Sequence, residues 1–90
     1  MNLYISQDTC DEVERLVKQV LAAPSKNAAK PYVDRLDFLQ RCGDYGGYTN
    51  VVFSELVSSV KSASGRVSDK ERLCYFARQD LYKLQGQIER

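Results

Sequence analysis

A chain of 90 residues, 43% apolar and 28% charged, makes one small domain over residues 1–90, too short for separate catalytic and regulatory parts. Thirteen basic against 12 acidic residues leave a net charge of +1, which excludes an acidic disordered tail and a histone-like basic chain. No apolar run is long enough to span a bilayer, so no membrane contact is expected, and histidine is absent.

Four segments carry the apolar period of a helix, and each has its own start and stop signals. In the first, Val13, Leu16, Val17, Val20 and Leu21 recur at helical spacing. Thr9-Cys10-Asp11-Glu12 reads as a capping box in front of them, and Pro24 follows the last apolar residue, which predicts a helix over 9–22. The second places Tyr32, Val33, Leu36 and Leu39 on one face behind Pro31, a residue suited to the first helical position. Gly43 suits the residue past its end, where a positive φ is wanted. This predicts 31–42, with Ala28 and Ala29 able to add an early turn.

The glycine-rich stretch Asp44-Tyr45-Gly46-Gly47-Tyr48 connects to a third helix, expected over 50–63 with Thr49 or Asn50 as its cap. Val52, Phe53, Leu56, Val57 and Val60 form its apolar side, and Gly65 marks its end. Ser54, Ser58, Ser59 and Ser62 are only fair helix formers, so packing must hold this helix more than propensity does. A second capping box, Ser68-Asp69-Lys70-Glu71, opens the fourth helix over 69–88, striped by Leu73, Ala77, Leu81, Leu84 and Ile88. Cys74 and Phe76 flank that stripe, and Gly86 weakens the last turn.

Nothing alternates with period two over a useful length. The fold class is therefore all-α, a small antiparallel four-helix bundle. Its expected core is Val13, Leu16, Val17, Val20, Leu36, Leu39, Phe53, Leu56, Val60, Leu73, Ala77, Leu81 and Leu84. A domain of this size buries a modest share of its surface, so either the helices pack well or a partner adds burial.

Chemistry is harder to find. Cys10, Cys42 and Cys74 are odd in number and widely spread, a poor disulfide framework and a poor zinc site. All three read as small buried residues, which suits a reducing, cytoplasmic setting. The first residues lack the charge and apolar pattern of a secretory signal. The glycines at 46 and 47 lack the lysine and preceding strand of a phosphate loop, so they read as a helix–helix turn. The pairs Asp34/Asp37 and Asp11/Glu14 lie near helix starts, where acids belong on a solvated face. No enzyme activity, metal or cofactor is expected.

Two surface features are less easily explained by solvent alone. Tyr75, Arg78, Gln79 and Tyr82 form a stripe on the fourth helix opposite its core side, and tyrosine and arginine dominate binding hot spots. Phe38 lies off the apolar face of the second helix, near Asp34 and Arg41, while Tyr45 and Tyr48 flank the glycines. These seven residues are the candidate contact set for a protein partner, in an adaptor, inhibitor or small regulatory subunit, with self-pairing as a variant. The alternative is a small nucleic-acid-associated protein. It would use Lys61, Arg66, Lys70, Arg72, Arg78 and Lys83 as a basic edge beside Tyr75 and Tyr82. That footprint is weak for a dedicated binder.

Overall fold

The computed structural model describes residues 4–43, 45–65 and 67–88. Within them the chain forms α1 (Gln7–Ala22), α2 (Lys26–Cys42), α3 (Gly47–Ala63) and α4 (Lys70–Gln85). Class and helix order follow the apolar periodicity; the starts of the helices do not follow the expected caps.

α1 begins two residues before Thr9. Ser6 is the cap: its Oγ accepts the Thr9 N–H at 3.2 Å and donates to Thr9 Oγ1 at 2.8 Å. This register puts Ile5 just before the cap and Cys10 at the fourth helical position, the two sites of a hydrophobic staple, and both are buried. The staple gives the earlier start an apolar contact that a cap at Thr9 would forgo.

α2 also starts early, so Pro31 lies inside it rather than at its first position. Ser25 Oγ accepts the Ala28 N–H at 3.1 Å, and Ala29 is fully buried, so the extra turn is both capped and packed. At the far end Gly43 caps with φ −75, in the right-handed region, which corrects the expected positive φ. Its missing side chain matters for space instead: a Cβ there would overlap the ring of Tyr45.

α3 starts at Gly47, with Gly46 as its cap and φ +57 at Gly47 itself. Neither Thr49 nor Asn50 caps it. Thr49 is buried and donates to Gln87 Oε1 at 3.3 Å, while Asn50 Oδ1 accepts from Gln40 at 2.9 Å. Gly65 has φ +74, and a Cβ on it would lie 2.8 Å from the backbone nitrogen of Lys26. That glycine is needed on both counts.

The expected box at Ser68 does not form. Asp69 is the cap of α4, left-handed at φ 56 and ψ 34, and makes no side-chain cap bond. The neighbouring Lys70 is drawn back under the end of α3, where its ammonium group donates to the carbonyls of Ala63 and Gly65. A cation on those carbonyls satisfies groups the helix end leaves orphaned. α4 ends at Gln85, and Gly86 caps it, so residues 86–88 leave the helix. Ile88 then pairs with Ile5 in an isolated bridge, with the Ile5 N–H on Gln87 O at 3.0 Å.

Contacts fix the helix directions. Thr49 meets Gln87, Ser59 meets Asp80 and Ala63 meets Lys70, so α3 and α4 run antiparallel. The Ile5–Ile88 bridge sets the start of α1 beside the end of α4. α4 packs most broadly on α3, and α1 on α2. α1 meets α4 along a much narrower contact, and among the described residues α2 and α4 do not touch. The core unites Ile5, Val13, Val17, Val20, Leu36, Val52, Phe53, Leu56, Val60, Ala77 and Leu84, all essentially without solvent contact. Leu16 and Leu81 are buried as expected, whereas Leu39 and Leu73 are only half-buried. No described helix is long and apolar enough to cross a membrane.

Candidate protein-contact face

α4 turns Cys74, Ala77, Leu81 and Leu84 inward, and that register decides what the rest of the helix shows. Tyr75 and Tyr82, seven residues apart, stand on its outer crest with 57% and 75% of their surface exposed. Phe76, expected beside the core stripe, is 49% exposed and meets the Tyr75 ring edge-on at 5.9 Å. Three aromatic side chains thus face solvent within two turns of one helix. Scattered exposed aromatics are ordinary; a cluster is a feature to explain.

The remaining members of the stripe fall to either side of the crest. Arg78 is exposed and borders a groove of about 290 Å³ between α1 and α4, lined by Val17, Lys18, Leu21, Ala22 and Leu81. Gln79 falls on the other side. There it joins Ser59, Leu73, Phe76, Asp80 and Lys83 around a groove of about 300 Å³ between α3 and α4. That second groove holds its own charges, because Asp80 accepts the Ser59 hydroxyl and lies 3.9 Å from Lys83.

The other candidates lie outside α4. Phe38 is 47% exposed on α2, but the Arg35 guanidinium lies over its ring at 5.1 Å. Arg35 is in turn held by both oxygens of Glu12, at 2.8 and 3.4 Å, and this pairing lowers the pKa of Glu12. Tyr45 is half-buried, packed on the core at 5.6 Å from Phe53, and Thr9 hydrogen-bonds its phenol. Burial raises the pKa of Tyr45, with the Thr9 bond opposing. Tyr48 is 60% exposed at the start of α3. Asp44, between these tyrosines and Gly43, lies outside the described residues.

The basic edge is largely committed within the fold. Lys61 pairs with Asp37 at 3.0 Å, Arg72 with Asp69 at 3.3 Å, and Lys70 with backbone carbonyls. Arg66 lies outside the described residues. Among the described residues the Arg78 side chain makes no ion pair or hydrogen bond.

Of the thiols, Cys10 and Cys74 are buried, while Cys42 is exposed, which corrects its expected place in the core. Cys42 sits in the last turn of α2, at its exposed end. The Cys10 thiol is pushed up to about 11, first by burial and then by the nearby charges of Asp11 and Glu14. A thiol held protonated in this way is a poor nucleophile. The paired acids are also engaged: Asp34 with Lys30, Asp37 with Lys61, Glu14 with Lys18, and Asp11 with Gln7. Among the described residues no group of three His, Cys, Asp or Glu side chains is placed to hold a metal ion. No family model, curated protein or solved structure matches the chain.

Proposed function

We propose that this domain is a non-catalytic protein-binding module, of the adaptor, inhibitor or small regulatory kind, and that it binds through the outer face of α4. The observation carrying this reading is the exposure of Tyr75, Phe76 and Tyr82 along one helix, beside an Arg78 that has no partner among the described residues. Such side chains bury much area for little lost entropy and keep polar tips for hydrogen bonds. Nucleic-acid binding has less support, because Lys61, Lys70, Arg72 and Lys83 already have partners inside the fold. A phosphate-tracking surface needs several cations free at once.

The test compares quantitative capture of partners by the full chain and by Tyr75→Ala/Tyr82→Ala, with thermal melts of both. Loss of a captured protein by the variant, with the melt unchanged, supports the reading; each anchor is worth about 2 kcal/mol or more. Arg78→Lys sharpens it, since a stacked or bidentate guanidinium in a protein interface is not replaced by an ammonium group. Identical capture by both proteins would sink the reading.

A further inference from the structure

The two grooves beside α4 differ in how their charge is settled. In the α3/α4 groove Asp80 sits against Lys83 and Ser59, so its polar groups are matched internally. The α1/α4 groove has an apolar floor of Val17, Leu21 and Leu81, and among the described residues no acid lines it. Its polar lining is cationic: Lys18 on one rim and Arg78 on the other. Among the described residues Lys18 is held only by an exposed pair with Glu14 at 3.3 Å, a weak restraint. Among the described residues Arg78 has no partner, and Tyr75 and Tyr82 stand three residues before it and four after it on the same helix.

We infer that the α1/α4 groove receives an acidic amphipathic helix of a partner protein. Its apolar side would lie on Val17, Leu21 and Leu81, and a carboxylate would meet Arg78 between the two tyrosines. This rests on the protein-binding reading above and adds the partner's chemistry. Charge complementarity carries the choice of occupant. An unpaired guanidinium beside an apolar floor favours a carboxylate, which accepts two of its N–H groups at once. A third helix fits the seam between two packed helices, where rows of side chains leave a lengthwise furrow. Because α1 and α4 are only narrowly joined, that furrow is open at the surface.

A second copy of this chain suits the groove less well. A two-fold pairing of this face would bring Arg78 and Lys18 against their own equivalents, and like charges at a desolvating contact repel. Nucleic acid is disfavoured for a related reason. One cation without a partner among the described residues does not follow a phosphate backbone.

The probes are helical peptides sharing leucines at i, i+3, i+4 and i+7, with flanking positions all Glu, all Gln or all Lys. Each is titrated against the full chain while the methyl NMR signals of Val17, Leu21 and Leu81 are followed. The Glu peptide should move these methyls and bind at least tenfold tighter than the Lys peptide. Arg78→Gln should erase that preference, and Arg78→Glu should reverse it, with unchanged melting temperatures. Equal binding of the Glu and Lys peptides would overturn the acidic occupant. Silence of the three methyls, while Tyr75→Ala/Tyr82→Ala still loses its captured partner, would overturn the groove and leave the crest as the contact. A single-stranded oligonucleotide moving the methyls where no peptide does would overturn the proposal in favour of nucleic acid. Capture indifferent to both tyrosines would remove the underlying reading as well.

Discussion

Cys10 shows how one buried side chain ties stability to pH. The unfolded chain releases its thiol proton near the ordinary 9.0, whereas the folded chain holds it to about 11. Between those values the unfolded state carries fewer protons, so raising the pH favours unfolding, by about 1.4 kcal/mol per pH unit from this group. Below pH 9 the group is neutral in both states and the effect is absent. Urea unfolding of the wild type and Cys10→Ala at pH 8 and pH 10 measures it. The wild type should lose more stability than the variant between the two, and parallel losses would mean that Cys10 is not the group responsible. The burial of Cys10 is legible from its helical angle beside Val13 and Val17. The exposure of Cys42 is not, because a residue in the last turn of a helix is covered or bared by the path of the chain beyond it. Past Gly43 the chain turns the Tyr45 ring back over that glycine and onto Phe53, and Cys42 stays bare.

At the scale of the helix, the sequence locates the elements well and their starts poorly, for one recurring reason. Apolar spacing is repeated many times along a helix, whereas a cap is a single residue in competition with others nearby. Thr9 and Ser6 are both good caps, and the choice between them falls to Ile5, whose burial depends on Ile88 at the far end of the chain. Pro31 misleads in the same way. Its preference for a first helical turn is real, but Ser25 and the buried Ala29 together outweigh the hydrogen bond that proline denies to the Asn27 carbonyl. Pro31→Ala should therefore stabilise the protein, by about 1–2 kcal/mol once proline's restraint on the unfolded chain is deducted. Chemical denaturation checks this directly. A loss of stability would show that the proline is favoured where it stands. On α4 the tyrosine stripe is legible from spacing alone. The exposure of Phe76 is not, because it lies at the edge of the apolar side, where the position of α3 decides whether it is covered.

For the whole molecule, burial is centred on Phe53 and Leu56 of α3, which like α1 touches all three other helices and packs most broadly on α4. Leu56→Ala should cost about 2–5 kcal/mol, out of a total stability of about 5–15 kcal/mol. A thermal or urea melt shifted by less than about half a kcal/mol would place the centre of the core elsewhere. The bridge between Ile5 and Ile88 bears on time as well as on stability. Helix pairs joined by short turns meet quickly, because little chain has to be closed. The Ile5 N–H on Gln87 O joins opposite ends of the chain, and closing so long a span costs about 2 kcal/mol more than closing one of the short turns. With so narrow a contact between α1 and α4, that closure should form last and open first, while α3 stays packed. The amide hydrogen of Ile5 should then exchange with solvent through an opening that leaves the amides of Phe53 and Leu56 protected. Equal free energies of exchange at the three amides would mean that the domain opens only as a single unit.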